Sequence, residues 1–200
     1  MSKLIGVSGF ARSGKDTFYE RSSAYLSFHG ESCVKHSFAS TLKKELEPLL
    51  LKHTGISAFT EDDAEKEIIR PLLVTYGTDI RRKLNPDCWI EKINDIVDAD
   101  LSAGKYVFIT DVRFLNEAKW VKNKGGLLFN ISRDEIGPAN KDEAIQSKLI
   151  KNLIDYKISW PTFTGSSITM CDDYIIKLFA DPSSGLEYFP KNQDFIKMKG

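Results

Sequence analysis

The chain has 200 residues, 42% of them hydrophobic and 28% charged, which are the proportions of a globular protein with one sizeable core. Lysine and arginine number 28, and aspartate and glutamate also number 28. The resulting net charge of zero argues against a nucleic-acid polymer or an anionic membrane as partner. No apolar run approaches the ~20 residues that span a bilayer, and the N-terminus lacks a signal-peptide pattern, so we expect a cytoplasmic protein.

The first part of the chain predicts a strand, a glycine-rich loop and a helix. Leu4–Ser8 is a short apolar run, and Lys15 to about Phe28 can be read at helical spacing. Val34–Phe38 predicts a weaker second strand, after which Ser40 is placed to cap a helix with leucines on one face. Pro48 lies inside that helical pattern and predicts a kink or a break.

The middle of the chain is mostly helical in period. From Glu61 to Asp100 the pattern predicts several short helices packed beside a sheet. We expect breaks between these helices at Pro71, Gly77 and Pro86.

The second half alternates strands and helices. Lys105–Thr110 is the clearest strand, because β-branched and aromatic residues fill it. The further predicted elements are a helix at Asn116–Lys124, a strand at Leu127–Ile131, a polar stretch at Ser132–Asp142, a helix at Ile145–Ile154, a last strand at Tyr174–Leu178 and a loosely held tail from Asp181. Strands separated by helices predict an α/β fold with a central parallel sheet and helices on both faces.

The cysteines and histidines do not form a disulfide or metal pattern. The cysteines are Cys33, Cys88 and Cys171, which include no CxxC pair, and we expect buried or half-buried thiols. The histidines are His29, His36 and His53, which have no ligand spacing, and we interpret them as structural.

A glycine-rich motif joins the first strand to the first helix. Residues Gly9–Lys15 fit G-x-x-x-x-G-K, a pattern that binds phosphate when it lies between a strand and a helix. The glycines let successive N–H groups surround a phosphate, and Lys15 reaches the β- and γ-phosphates. Asp16 stands where Ser or Thr usually serves Mg²⁺. We assign Asp16 to the metal shell and Thr17 to phosphate, with a helix-terminal carboxylate of no metal role as the alternative for Asp16.

The arginines favour a small kinase among the proteins that carry such a loop. The sequence has no N-K-x-D motif for reading a guanine base, and a kinase needs arginines that hold two phosphate groups together. Arg113 and Arg133 each follow a predicted strand, at the edge where α/β sheets bind ligands. Arg70, Arg81 and Arg82 lie in the helical region.

Five stretches, in order along the chain, resemble the phage-type deoxynucleoside monophosphate kinases. They are Gly9–Thr17, Ser37–Ala39 with Leu42 and Lys43, Tyr76–Asp79 with Trp89, Thr110–Phe114, and Ile131–Arg133. The resemblance implies a P-loop kinase fold in one domain over residues 1–200, with a helical monophosphate-binding region at about 40–100 and a lid at about 132–145. It also implies transfer of the ATP γ-phosphoryl group to a deoxynucleoside 5′-monophosphate, which gives the diphosphate.

The same resemblance implies three sets of site residues. ATP would bind Arg12, Ser13, Gly14, Lys15, Asp16 and Thr17. The monophosphate site would comprise Arg70, Gly77, Thr78, Trp89, Asp111 and Arg113. Catalysis would rest on Lys15, Arg113 and the lid arginine Arg133, with Mg²⁺ held by Asp16.

The expected ligands are therefore small nucleotides and Mg²⁺, with no nucleic-acid polymer and no membrane. If a phage encodes the chain, the cytoplasm would be that of the host cell. The sequence leaves open whether the chain forms a homodimer. Two other functions also stay open: a P-loop kinase for another small phosphate acceptor of the dephospho-coenzyme A kind, and a non-catalytic nucleotide-binding regulator.

Overall fold

A five-stranded sheet organises the first of two units in the computed structural model, which describes residues 2–138, 141–160 and 170–179. The first unit comprises the residues up to His36 and those from Val97 onward, and the second comprises Ser37–Ile96. Within the described ranges, no helix combines the length and the hydrophobicity needed to cross a membrane.

All five strands of the sheet run parallel. In chain order they are β1 (Leu4–Ser8), β2 (Cys33–His36), β3 (Tyr106–Ile109), β4 (Leu127–Arg133) and β5 (Tyr156–Trp160). Their order across the sheet is β2-β3-β1-β4-β5, so β1 is central and pairs with β3 on one side and β4 on the other. Parallel neighbours need crossover connections, and helices supply them here. The predicted α/β fold with a central parallel sheet is confirmed.

The helices connect these strands and form most of the second unit. In chain order they are α1 (Lys15–Phe28), α2 (Phe38–Thr54), α3 (Asp63–Val74), a π-helical segment (Thr75–Arg82), α4 (Cys88–Ser102), α5 (Leu115–Asn123), α6 (Lys141–Ile150), a 3₁₀ turn (Lys151–Leu153) and α7 (Met170–Phe179).

Helices cover both faces of the sheet because alternate residues of β1 face opposite sides. Ile5 and Val7 belong to a core cluster that also contains residues of α1 and α7. On the opposite face, a Cβ atom at Gly6 would lie 2.7 Å from the Leu128 side chain and 3.2 Å from that of Val121 on α5. Both faces of β1 are thus closely packed, as in other buried parallel sheets.

Two elements near the C-terminus differ from the sequence prediction. Tyr174–Leu178 was expected to be a strand, but it lies in α7, where Cys171, Tyr174, Ile175 and Leu178 are buried at helical spacing. Among the residues that the structure describes, the last strand is β5, whose residues alternate between buried and half-buried. The expected loose tail from Asp181 lies outside the described residues.

Prolines interrupt the second unit less than expected. α2 runs unbroken through Pro48, and its cap is Ser37, whose hydroxyl accepts a hydrogen bond from the backbone N–H of Ser40. The predicted cap at Ser40 is therefore wrong by three residues. α3 also runs through Pro71 and continues directly into the π-helical segment that contains Gly77, so the helical breaks expected there are wrong.

The cysteine prediction is confirmed. Cys88 and Cys171 are buried and Cys33 is half-buried, and all three are free thiols. Burial raises the pKa of the Cys171 thiol to about 11, which keeps it protonated and unreactive near neutral pH.

Asp100 stabilises the first unit through charged hydrogen bonds. Its carboxylate accepts from Lys105 Nζ at 2.8 Å and interacts with His36 Nε2 at 2.8 Å, and these partners lower the pKa of Asp100. Because the folded-state pKa is lowered, this stabilisation is present above the ordinary carboxyl pKa and is lost as the pH falls through the folded value.

We expect Asp100→Asn to lower the free energy of unfolding by about 1–3 kcal/mol at pH 7, and the deficit to shrink below about pH 4. Urea unfolding at pH 7 and pH 3 measures both values. Asp98→Asn, which removes a more exposed ion pair with Lys124, is the control and should cost at most about 1 kcal/mol. A deficit for Asp100→Asn that is equal at the two pH values would contradict the assignment.

Candidate active site

The loop between β1 and α1 has a backbone that its glycines make possible. Gly9 has a φ of 139° and Gly14 a φ of 95°, and Arg12 also has a positive φ, of 64°. A Cβ atom at Gly9 would lie 2.2 Å from the carbonyl oxygen of Ile131, so no larger residue fits there. The loop therefore packs directly against β4, with its amides at the N-terminus of α1.

Trp160, the last residue of β5, fixes the other end of the loop. Its indole Nε1 donates a hydrogen bond to the Ser13 carbonyl at 3.0 Å. The ring lies so close to Gly14 that a Cβ atom there would be 2.7 Å from Nε1. Sequence reasoning missed Trp160, because the strand that carries it was not predicted.

Lys15 folds back over the loop in this structure. Its ammonium donates to the carbonyl oxygens of Gly9 at 3.0 Å and Phe10 at 2.7 Å. Burial, followed by the positive charge of Arg113, lowers the pKa of Lys15, while Asp16, Glu143 and Asp111 act in the opposite direction. The positive charge of Arg113 therefore acts on Lys15, and an anion bound near both groups would offset it.

Asp16 has a cationic partner of its own. Its Oδ1 lies 2.6 Å from the Nζ of Lys35 on β2, and its side chain is 74% exposed. No group of three or more potential metal-ligating side chains occurs in the part of the chain that the structure describes. Mg²⁺ that arrives with a nucleotide needs only one or two protein carboxylates, so Asp16 fits that role once the Lys35 ammonium is displaced.

A buried carboxylate shapes the backbone that carries Arg113. After β3 ends, the N–H of Val112 bonds to the Val7 carbonyl at 3.1 Å. Glu117, only 1% exposed, accepts from the backbone N–H groups of Arg113 at 2.8 Å and Phe114 at 2.9 Å. Sequence reasoning missed Glu117, although a glutamate in the first turn of a helix is a known capping signal.

Arg133 and Ser13 have polar atoms that the described residues leave without partners. Arg133 ends β4 and is in register with Trp160 on β5. Its Nε atom and the Ser13 Oγ atom are buried and make no hydrogen bond within the described ranges. Buried polar groups normally find partners, so these two atoms are candidates for ligand contacts.

The predicted site residues of the second unit are only partly brought together. Trp89 is 2% exposed, and its indole Nε1 donates to the Gly77 carbonyl at 3.2 Å. Thr78 is exposed on the π-helical segment next to Gly77. Arg70 is 61% exposed and is paired with Glu67 on its own helix at 3.1 Å. The structure therefore brings Gly77 and Trp89 into hydrogen-bonding contact, whereas Arg70 lies on the surface.

Comparisons with known proteins find similarity only among solved structures. No protein-family model matches the chain, and no curated protein matches it. The chain is similar to an unliganded sugar kinase from Janibacter, with 11% identity, a TM-score of 0.43, and coverage of 88% of this chain and 94% of that one. It is also similar to a shikimate kinase from Acinetobacter baumannii crystallised with shikimate, with 9% identity, a TM-score of 0.38, and coverage of 87% and 90%. A Thermus thermophilus protein has 13% identity, a TM-score of 0.43, and coverage of 86% and 95%.

We expect Glu117→Ala to lower the free energy of unfolding by about 2–4 kcal/mol, because it leaves two backbone N–H groups without their acceptor. Glu117→Gln keeps one acceptor oxygen and should lose less. Urea unfolding monitored by circular dichroism measures both, with the exposed Glu20→Ala as a control that should stay within about 0.5 kcal/mol of the parent. Equal losses for Glu117→Ala and Glu20→Ala would contradict the role of Glu117.

Proposed function

We propose that this protein is a kinase that transfers the γ-phosphoryl group of ATP to a deoxynucleoside 5′-monophosphate. The observation that carries the proposal is the geometry of the glycine-rich loop: Gly9 and Gly14 have positive φ angles, and the Lys15 ammonium lies 2.7–3.0 Å from carbonyl oxygens of the loop. The positive charge of Arg113 adds to burial in lowering the pKa of Lys15. Such a site favours an anion with several charges, and a nucleotide phosphate chain meets that requirement. The choice of a deoxynucleoside monophosphate as acceptor rests on the resemblance in the five sequence stretches.

In this proposal the loop binds the phosphates of ATP. The backbone N–H groups of the loop surround the β-phosphate, and Arg12, Ser13, Gly14 and Thr17 belong to the same site. Lys15 exchanges the carbonyl oxygens of Gly9 and Phe10 for the β- and γ-phosphate oxygens. The exchange replaces neutral acceptors by charged ones, which makes each hydrogen bond stronger.

The acceptor phosphate needs alignment and neutralisation more than proton transfer. It is already ionised near neutral pH, so no general base is required. Arg113 holds the acceptor phosphate with its planar fork, and Arg133, at the end of β4, acts on the transferred group. Asp111 accepts a hydrogen bond from the sugar or the base, or orients Mg²⁺ through water. Trp89 is almost fully buried in this structure, so its ring has no exposed face for a base. Its base-stacking role stays a prediction.

Mg²⁺ fits this site through the Asp16 carboxylate, and when bound it neutralises charge on the β- and γ-phosphates. Lys35 holds Asp16 in the absence of a nucleotide and must release it for the carboxylate to serve the ion. Lys35 thereby keeps Asp16 from repelling an incoming phosphate.

The proposal predicts that ATP binding and acceptor use depend on different residues. Arg113→Ala should lower kcat/KM for the monophosphate at least ~100-fold, while the Kd for ATP changes less than ~3-fold. Lys15→Ala should instead weaken the binding of ATP. A coupled assay of ADP release with each common deoxynucleoside monophosphate, together with calorimetric ATP binding, measures both. The exposed Lys119→Ala is the control and should behave like the parent.

Three results would contradict the proposal. Equal losses of ATP binding and turnover in Arg113→Ala would remove the acceptor role of that residue. Transfer only to a pantetheine acceptor would indicate the kinase of the dephospho-coenzyme A kind. ATP binding without transfer to any acceptor would indicate a nucleotide-binding regulator.

The role of Asp16 has a separate test with Mn²⁺ in place of Mg²⁺. With a non-hydrolysable ATP analogue bound, Asp16→Asn should weaken Mn²⁺ binding about 10-fold, because one carboxylate ligand is lost. Lys35→Gln should strengthen it, because the competing ammonium is gone. Electron paramagnetic resonance of free Mn²⁺ measures both constants, and unchanged affinity in both variants would show that Asp16 is not a metal ligand.

A further inference from the structure

Trp160 meets the glycine-rich loop at the peptide that joins Ser13 to Gly14. Its indole Nε1 donates to the Ser13 carbonyl at 3.0 Å. A Cβ atom on Gly14 would lie 2.7 Å from Nε1 and 3.1 Å from two carbons of the same ring. The indole therefore bonds to one residue of this peptide and packs against the other.

The hydrogen bond to the Ser13 carbonyl sets the direction of the Gly14 N–H group. A trans peptide is planar, and its C=O and N–H bonds point in opposite directions. Because the Ser13 carbonyl points at Trp160, the Gly14 N–H points away from the indole, to the other side of the loop. A carbonyl that accepts a hydrogen bond also makes the N–H of its own peptide a better donor, because linked hydrogen bonds polarise one another. Gly14 caps α1, so this N–H belongs to the positive end of that helix.

The core of the first unit holds the indole in one orientation. Trp160 is 2% exposed, and its ring centre lies 6.4 Å from that of Phe18 on α1 and 6.1 Å from that of Tyr174 on α7. The Tyr174 ring meets the indole at 84°, an edge-to-face arrangement that aromatic pairs favour. A donor on a ring that is already fixed loses little freedom when it bonds, so the contact with the loop is pre-organised.

The neighbouring strand contacts the other end of the loop. Arg133 on β4 is in register with Trp160 on β5. Two residues before Arg133, the Ile131 carbonyl lies against Gly9. Two adjacent parallel strands thus contact the two ends of the loop, β4 through a backbone carbonyl and β5 through the indole of Trp160.

We infer that Trp160 is a positioning residue for phosphate binding, whose indole N–H keeps the Gly14 N–H turned toward a bound phosphate chain. The inference rests on the proposed function, because it requires that the glycine-rich loop bind the phosphates of a nucleotide. Trp160 acts through the peptide between Ser13 and Gly14 and makes no contact with the nucleotide itself. A side chain that kept the ring but lacked the donor would leave this peptide free to turn.

The test compares variants that remove the N–H of Trp160 and keep an aromatic ring. Trp160→Phe does so with a smaller ring, and replacement of Trp160 by 3-benzothienylalanine does so with the same shape, since sulfur takes the place of the N–H. Calorimetry measures the binding of ATP and of tripolyphosphate, which has neither sugar nor base. Both Kd values should rise by the same factor, about 5-fold, as expected for the loss of one hydrogen bond.

Two controls separate positioning from general stability. Ile158→Val removes a buried methyl group from the same strand, so it lowers stability without touching the loop. Trp120→Phe removes an indole N–H on α5, where the ring lies beside the Lys124 ammonium. Urea unfolding ranks the stabilities of all variants, and both controls should bind ATP and tripolyphosphate like the parent.

The outcomes separate this inference from the proposed kinase function. Equal weakening of ATP and tripolyphosphate in the two Trp160 variants, with both controls like the parent, supports the inference even if no acceptor is phosphorylated. Weakening of ATP alone would overturn it, because Trp160 would then act on the sugar or the base. Binding by the folded Trp160 variants within ~2-fold of the parent, or a loss no larger than that of Ile158→Val, would overturn it and leave the kinase proposal standing. A parent protein that binds neither ligand would overturn both.

Discussion

The glycine-rich loop surrounds a half-buried lysine, which has backbone carbonyls as its hydrogen-bond partners and feels the positive charge of an arginine. Lys15 bonds to the Gly9 and Phe10 carbonyls, and its pKa is lowered by burial and by Arg113. A buried cation is costly unless it is paired. The loop that carries it packs through Gly9 against the Ile131 carbonyl and accepts a hydrogen bond from Trp160 at the Ser13 carbonyl. The lysine is therefore held at the loop in this structure, and in the proposed function it exchanges these carbonyls for phosphate oxygens when ATP binds.

The second unit holds a cation by a different physical device. Arg81 is oriented by the Trp89 ring and by the Glu45 carboxylate, which other donors also occupy, rather than by backbone carbonyls. The sheet supplies rigidity in the first unit because every strand is paired in parallel register. In the second unit, residues pack closely around Gly77, where a Cβ atom would lie 2.9 Å from Leu42 and whose carbonyl accepts a hydrogen bond from Trp89.

The sequence predicted those features that short stretches of chain determine. The loop from Gly9 to Lys15, the strand before it, the helix after it and the burial of the cysteines could be read locally, because glycine, lysine and apolar runs act over a few residues. Trp160 could not be found this way, since its partner Ser13 is 147 residues away in the chain. α7 was mistaken for a strand because Ile175 and Ile176 favour strands, whereas packing at helical spacing decided its structure.

The fate of the γ-phosphoryl group tests the central claim most directly. ATP labelled in that group is incubated with the protein, Mg²⁺ and each common deoxynucleoside 5′-monophosphate, and the products are separated. The account predicts label in a deoxynucleoside diphosphate, in an amount equal to the ADP formed. Label that stays in ATP, or that appears only as inorganic phosphate, would contradict it.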